Sequence, residues 1–257
     1  MIDVSVVIPC LNEEKTVGIC VEKVQKVFKE HHIDGEVIIV DNKSTDKSID
    51  VARAKGAKVI IEEVRGYGSA YLRGFREAQG KYIIMGDADN TYDFEVIHEF
   101  LIILKDQRYD LVTATRLKGK ILPGAMPWLH RYIGNPILTR FFNLLFGTKF
   151  SDVLSGYKAF RKEALKQIEF NSRNMVFTVE IMVKAVTAKL RIKEIPITYY
   201  PRAEGSNTKL HSFRDGWRYF KFIASYLPRW VKILISLGCI IVILLLILFI
   251  LKGFSVI

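Results

Sequence analysis

Asp87 and Asp89 are the residues of this 257-residue chain whose type and spacing point most directly to chemistry. They lie in Lys81–Asp93, KYIIMGDADNTYD, where a short apolar run, Tyr82–Met85, stops abruptly at Gly86. A run of that length bounded by a turn reads as a strand buried on both faces. Residues two apart on extended chain project to the same side, roughly 6–7 Å apart. Like charges at that distance repel, and each resists losing its water. A divalent cation relieves both penalties. Oxygen ligands of this kind suit magnesium or manganese, which keep places for substrate phosphates. In open α/β sheets ligands bind beyond the carboxyl ends of the strands, where this pair would sit. The alternative for an isolated Asp-x-Asp is a solvated acidic turn.

The elements that must position the pair alternate along the N-terminal half. Val4–Ile8 reads as a strand with Pro9–Glu14 as its turn, and Thr16–Lys29 as a helix with Val17, Val21, Val24 and Phe28 on one face. Glu36–Val40 is a second strand ending at Asp41. Asn42–Asp46 then supplies a turn and N-cap for a helix stopped by Gly56. Lys58–Ile61, Lys81–Met85 and Asp110–Ala114 read as further strands, separated by helices Gly68–Gln79 and Phe94–Lys105. Phe177–Ala188 reads as a later helix. This alternation predicts an α/β fold with a mostly parallel sheet covered by helices on both faces.

Composition bounds the partners. Formal net charge is +11, from 38 Lys+Arg against 27 Asp+Glu, which favours anionic partners such as nucleotides, nucleic acid or an anionic membrane. Cys10, Cys20 and Cys239 show neither disulfide nor zinc spacing, so a reducing compartment is expected. No signal peptide is expected, since the first apolar run is only Val4–Ile8. Ile233–Leu251 is nineteen residues without a charge, long enough to cross a hydrocarbon core of about 30 Å. Between Arg202 and Lys232 seven Lys/Arg accompany two acidic residues, interleaved with Trp217, Tyr219, Tyr226 and Trp230. This is the pattern of a chain approaching a membrane from the cytoplasm, with Trp217–Tyr226 as an amphipathic helix at the interface. The adjoining span makes lipid, not nucleic acid, the expected partner. The expected division is therefore a catalytic domain over 1–210, a juxtamembrane helix over 211–230 and a transmembrane helix over 231–252, with the domain on the cytoplasmic face.

Several nucleotide-binding signatures are excluded. The first βα turn has no glycine, and Gly66-Tyr67-Gly68 carries Tyr71 where the dinucleotide fingerprint requires its third glycine. Gly74 and Gly80 are one residue too far apart for a P-loop. What remains is carboxylates at strand ends: Asp41, which as a lone acid is also an ordinary turn residue, and the Asp87/Asp89 pair.

Four segments carry a resemblance. Val6–Glu13 (VVIPCLNE), Ile39–Asp46 (IVDNKSTD), Gly86–Asp89 (GDAD) and Asp152–Tyr157 (DVLSGY) occur in the order seen in family-two glycosyltransferases with the GT-A fold. The chain most resembles the polyprenyl- and dolichyl-phosphate sugar transferases over roughly Asp3–Leu210. The resemblance implies that Pro9, Leu11, Asn12, Glu13, Asp41 and Ala88 line a nucleotide pocket. It also implies that Asp87 and Asp89 hold sugar nucleotide and metal, Mg2+ or Mn2+, with Asp89 as the metal ligand. Two positions depart from the pattern: Thr91 stands where the related mannose synthases usually carry a metal-binding Gln, and Asp41-Asn42 where Asp-Asp is common.

Diphosphate departure needs charge stabilisation. Arg116, Arg131, Arg202 and Lys209 are the candidate cations, the last two in a basic Gly/Ser/Asn segment similar to the family's loop over the diphosphate. The alternative for each is an ordinary solvated surface residue. Asp152 is the catalytic base that the resemblance implies. A phosphate acceptor has a second pKa near 6 and needs little deprotonation, so Asp152 could instead orient the acceptor or an arginine. Glu180 is similar to a family acid near the acceptor. Ile137–Phe146, with Phe141, Phe142 and Phe146, reads either as a core helix or as one dipped into the interface near a lipid.

The resulting expectation is a metal-dependent inverting transferase moving a hexose from a UDP- or GDP-sugar to polyprenyl phosphate, with self-association left open. A polysaccharide or protein hydroxyl acceptor, and a non-catalytic nucleotide-sugar binding subunit, are the alternatives.

Overall fold

The computed structural model of the chain describes residues 2–106, 108–203 and 211–229. Seven strands form one sheet: β1 Val4–Cys10, β2 Gly35–Asp41, β3 Lys58–Ile61, β4 Tyr82–Met85, β5 Leu111–Ile121, β6 Lys158–Arg161 and β7 Ile192–Tyr199. Their spatial order is β3-β2-β1-β4-β6-β5-β7. β1 pairs in parallel with β2 and β4, β2 with β3, and β5 with β7. Only β6 runs against its neighbours, β4 and β5.

Side chains alternate between two cores across this sheet. Val4, Val6, Ile8, Val37, Ile39 and Ile84 face one layer, with helices α1 (Val17–Glu30) and α4 (Ile97–Lys105). Val7, Ile38, Val40, Ile83 and Met85 face the other, with α3 (Tyr67–Glu77), α7 (Phe177–Thr187), α5 (Asn135–Phe146) and α8 (Ser212–Ser225). Two-sided burial explains why β1, β2 and β4 read as continuous apolar runs. Two short helices, α2 (Ser48–Ala54) and α6 (Lys162–Leu165), complete the α-helices among the described residues, with a 3-10 turn at Phe94–Val96 and a π-helical turn at His130–Gly134.

The expected strands and helices of the N-terminal half are present, with differences of a few residues at their ends. The first departure is β5, which continues seven residues past Ala114 because it pairs with β7 through an irregular register between Thr115 and Lys120. The second is β6 and β7, which the periodicity did not reveal. β6 is only four residues with charged ends. β7 contains Pro196, whose missing N–H is tolerated because β7 lies at the sheet edge. Antiparallel β6 matters for function: its start, Lys158, lies opposite Met85, the end of β4. The loop feeding β6, Ser151–Tyr157, is thereby delivered to the edge where Asp87 and Asp89 emerge.

α8, expected at a membrane surface, also belongs to the body of the fold. Tyr219 and Ile223 are buried in the second core, and Phe220 stacks on Phe141 of α5 at 4.9 Å between ring centroids. Among the described residues no helix is long and apolar enough to cross a membrane, and Ile233–Leu251 lies outside them.

Candidate active site

β4 ends at Met85, and the turn at Gly86 aims Asp87 at two tyrosines of α3. Asp87 Oδ1 lies 3.0 Å from the Tyr67 hydroxyl and 3.3 Å from that of Tyr71, which also donates to the Gly86 carbonyl at 2.7 Å. Tyr67 and Tyr71 are four residues apart, hence on one helix face. The missing third glycine of the fingerprint is thus a tyrosine with a use. Burial, reinforced by the charge of Asp89, pushes the Asp87 carboxyl up to about 7, against the opposing pull of Tyr67, Arg202 and Tyr71.

Asp89 is held from both sides. Its Oδ1 accepts the backbone N–H of Thr91 at 3.1 Å and the Thr91 hydroxyl at 2.7 Å. Its Oδ2 lies 2.5 Å from Arg202 Nη2, while Arg202 Nη1 is 3.8 Å from Glu13 Oε1. One guanidinium thus bridges the turn after β1 and the turn after β4. Thr91 stands where a metal-binding Gln was noted in related chains, and here it fixes the rotamer of Asp89.

The donor set fits a hard divalent cation. Among the described residues no group of three or more His, Cys, Asp and Glu gathers as metal ligands. An octahedral ion held by one or two carboxylates, with the remaining places for water and substrate phosphate, suits magnesium or manganese. The raised carboxyl of Asp87 beside a second acid is a charge conflict that such an ion removes.

Two cavities meet at this pair. The first, about 290 Å³, is lined by Pro9, Leu11, Glu13 and Ala88 from the turns after β1 and β4. The second, about 530 Å³, is lined by Arg116, His130, Asn135, Leu154, Gly156 and Tyr199. Tyr67, Asp87, Asp89, Met175 and Arg202 line both. Asn12 and Asp41, expected in the nucleotide pocket, line neither cavity. Asn12, at φ +54°, accepts from the Thr45 backbone N–H at 2.7 Å and so joins the turns after β1 and β2. Asp41 Oδ2 accepts from Ser44 N at 3.0 Å, whereas its Oδ1 is buried without a hydrogen-bond partner. Asn42 donates to the Glu62 and Val64 carbonyls, both at 2.9 Å, and accepts from Gly66 N at 2.7 Å. Only an amide does all three, which accounts for Asn where the pattern often has Asp.

In the second cavity Arg116 and Asp152 form a buried bidentate pair. Arg116 Nε lies 2.7 Å from Asp152 Oδ2, Nη2 2.9 Å from Oδ1, and the Arg116 backbone N–H 3.2 Å from Oδ2. Asp152 is fully buried, and its own N–H donates to Glu194 Oε1 at 3.0 Å. Burial alone would raise the Asp152 carboxyl, but the Arg116 guanidinium holds it below the usual carboxylate value. Both oxygens of Asp152 are engaged by Arg116, an arrangement for orienting an arginine. Buried Lys158 donates to the Ser155 carbonyl and fixes the same loop, its ammonium pushed down to about 7 by burial against the pull of Asp152.

The remaining expected residues fall elsewhere. Glu180 is buried, and its two oxygens accept the backbone N–H groups of Asn171 and Ser172 at 2.9 and 2.8 Å, so it shapes the loop before α7. Arg131 lies over the ring of Tyr132 at 5.2 Å and lines neither cavity. Its neighbour His130 faces the second cavity instead, with Nε2 2.8 Å from Ser212 Oγ. The reason is local: His130 and Arg131 are adjacent on one helical turn, His130–Gly134, and adjacent helical residues do not share a face. Lys209 lies outside the described residues. Tyr67, Tyr71, His130 and Thr178 are site residues that sequence reasoning did not assign. Only the i, i+4 tyrosine pair left a signal, and it was noted as a failed glycine motif.

The family model "Glycosyl transferase family 2" matches residues 5–169, from β1 through the carboxylate pair to the end of the Asp152 loop and beyond. The chain belongs to glycosyl transferase family 2. Among curated relatives, the low-salt glycan biosynthesis hexosyltransferase Agl6 of Haloferax volcanii is 42% identical over 226 residues, 88% of this chain and 54% of that protein. The chain thus spans about half the length of that relative. The dolichyl-phosphate hexose transferase of the same organism is 33% identical over 217 residues, covering 83% of this chain and 89% of that one. Among solved structures, glucosyl-3-phosphoglycerate synthase from Mycobacterium tuberculosis with Mg2+ and uridine diphosphate superposes with a TM-score of 0.67 at 20% identity. It covers 87% of this chain and 79% of that one. The family-two member described here has the GT-A fold, an α/β architecture with a mixed, mostly parallel sheet.

Proposed function

We propose that this family-two glycosyltransferase is an inverting hexosyltransferase that uses a UDP- or GDP-sugar and delivers the hexose to a polyprenyl phosphate at a membrane surface. The observation that carries the reading is the meeting of two cavities at Asp87 and Asp89, one beyond the ends of β1 and β2, the other around Arg116. Open α/β sheets bind nucleotides at the first kind of place. Pro9 and Leu11, which line the first cavity, would lie against the nucleotide. Asp89, with Asp87 beside it, would hold a divalent cation, which when bound stabilises the charge of the departing diphosphate. The crystallised relative named above holds uridine diphosphate and Mg2+, which supports this donor class.

The second cavity would receive the acceptor. An acceptor phosphate oxygen attacks the anomeric carbon from that side, the new C–O bond forms, and the bond to the diphosphate oxygen breaks on the other. A single displacement of this kind inverts the anomeric centre. A phosphate monoester is mostly ionised at neutral pH, so no side chain must take its proton. Arg116, aimed by Asp152, would hold the acceptor's charge. A hydroxyl acceptor would need Asp152 as a base, and that carboxylate is fully engaged by Arg116.

The lipid part of the reading rests on an exposed apolar surface. Trp128, Leu129, Tyr132 and Ile137 beside α5, and Phe213 and Trp217 on α8, are all exposed, with Lys221 over the Trp217 ring at 5.3 Å. Aromatic and basic side chains of this kind suit a headgroup region. The name of the dolichyl-phosphate hexose transferase relative supports the same acceptor class. Membranes carrying the full chain, incubated with labelled UDP- and GDP-hexoses, should transfer label into organic-extractable lipid from one donor. Label appearing only in polymer or protein would refute the acceptor.

A further inference from the structure

The seven basic residues between Arg202 and Lys232 suggest one lipid-facing stripe, but among the described ones Arg202, Arg214 and Arg218 line the first cavity, whereas Lys221 and Arg229 do not. Arg214 and Arg218, four residues apart on α8, line the rim of the first cavity while about half exposed. Between them Asp215 is 1% exposed and lines the same cavity. Its Oδ1 lies 3.4 Å from Arg214 Nε and 3.2 Å from Arg218 Nη1, and its Oδ2 accepts the His211 backbone N–H at 2.9 Å. Phe213 and Trp217 are exposed and line neither cavity. A buried carboxylate holding two arginines in a cavity wall is a device for aiming their remaining donors, because Asp215 uses one oxygen for both.

Charge in this cavity is balanced when it is empty. Arg65, Arg202, Arg214 and Arg218 face Glu13, Asp87, Asp89 and Asp215, four formal charges of each sign. Arg202 is engaged by Asp89 and Glu13, so the cluster on α8 holds the excess positive charge nearest to it, two arginines on one acid. A nucleoside diphosphate bound there with a divalent ion gains one negative charge on release of the sugar, and fixed guanidiniums suit that change.

We propose that Arg214 and Arg218 bind the diphosphate of the donor and of the leaving nucleotide, and that Asp215 is the positioning residue that aims them. The proposal rests on the donor reading above and adds the two residues, on a helix otherwise read as lipid-facing, that would recognise the diphosphate. The same phosphate chemistry is offered by anionic lipid headgroups, so the test has two arms. In the first, UDP and GDP binding to the full chain in detergent with Mn2+ is compared with binding of the unphosphorylated nucleosides, for wild type, Arg214→Gln, Arg218→Gln and the double variant. Both side chains are about half exposed, so these changes leave the core untouched. Each single variant should weaken diphosphate binding about tenfold and the double about 100-fold, the scale of a lost charged hydrogen bond, with nucleoside binding unchanged. Asp215→Asn should raise the donor KM more than it lowers kcat, and Asp215→Glu should recover part of the loss. In the second arm, sedimentation with phosphatidylglycerol vesicles should change less than twofold in the double variant. Diphosphate affinity within twofold of wild type in the double variant would overturn the proposal. Vesicle binding lost while diphosphate binding persists would assign the arginines to lipid. If wild type binds neither UDP nor GDP, the donor reading fails, and this assignment with it.

Discussion

Replacing Asp152 by asparagine should destabilise the protein and displace Arg116, and its effect on rate should differ from that of losing a base. The carboxylate accepts three hydrogen bonds from Arg116, at 2.7, 2.9 and 3.2 Å, and is fully buried. An asparagine keeps one acceptor oxygen but presents an NH2 to donors and leaves the guanidinium uncompensated. Breaking a buried pair from one side costs about 3–5 kcal/mol. Because asparagine retains one bond, a loss of about 3 kcal/mol is expected, read as a shift in urea unfolding midpoint at pH 7. In a double-mutant cycle with Arg116→Met, the pair should show coupling of about 2 kcal/mol or more, since removing both partners leaves no orphan charge. The pH dependence follows from the lowered carboxyl of Asp152. The folded protein binds its proton less readily than the unfolded chain, so the pair's contribution is complete above about pH 4 and is lost as pH falls through the lower folded value. Single-turnover transfer to a lipid phosphate should be slowed in Asp152→Asn, while the pH profile still follows the acceptor's own ionisation near 6. Stability unchanged in Asp152→Asn, combined with loss of a carboxylate ionisation from the rate profile and a fall of about 100- to 10,000-fold at every pH, would refute this and make Asp152 a base.

Three further outcomes are expected. EDTA should abolish transfer and Mn2+ or Mg2+ restore it, and Asp89→Asn should lower turnover about 100-fold or more without moving the unfolding midpoint by more than a few tenths molar urea; full activity in EDTA would contradict the metal assignment. Asn42→Asp places a carboxylate against the Glu62 and Val64 carbonyls, so it should destabilise by about 3 kcal/mol at pH 8 and by less at pH 4, where the acid is neutral; equal loss at both pH values in chemical denaturation would argue against this geometry. Gly156→Ala brings a Cβ to 2.6 Å from the Tyr67 hydroxyl and 3.1 Å from that of Tyr92, which should displace the partners of Asp87 and lower kcat about 10- to 100-fold with native circular dichroism; wild-type kcat would show that this packing does not matter.

Much of the fold was legible because β1, β2 and β4 are buried on both faces and their apolar runs are bounded by turns. β6 and β7 were not, for different reasons. Lys158 looks like a surface residue in sequence, and its burial depends on neighbours contributed by β4 and β5. Pro196 argues against a strand unless the strand is known to lie at an edge, and edge position is a property of the whole sheet. At the site, Asp87, Asp89, Arg116 and Arg202 do converge, as do Pro9, Leu11, Glu13 and Ala88. The Arg116–Asp152 pair was foreshadowed by the chemistry of a phosphate acceptor, which has little need for a base. His130, and not Arg131, meets the second cavity, and the sequence alone does not say which of two adjacent helical residues faces inward. The place of Arg214 and Arg218 at a cavity was hidden for another reason: charge counts along a segment do not say which helix face meets a cavity.

Donor and acceptor should occupy separate cavities that meet at Asp87 and Asp89. A crystal structure of the full chain with Mn2+, a non-transferable UDP- or GDP-hexose analogue and a short polyprenyl phosphate tests it most directly. The nucleotide is expected beside Pro9 and Leu11, the metal on Asp89 in place of Arg202, and the acceptor phosphate at Arg116, facing the anomeric carbon opposite the diphosphate. A nucleotide seated against Arg116 and His130, or an acceptor phosphate in the cavity of Pro9 and Leu11, would contradict it.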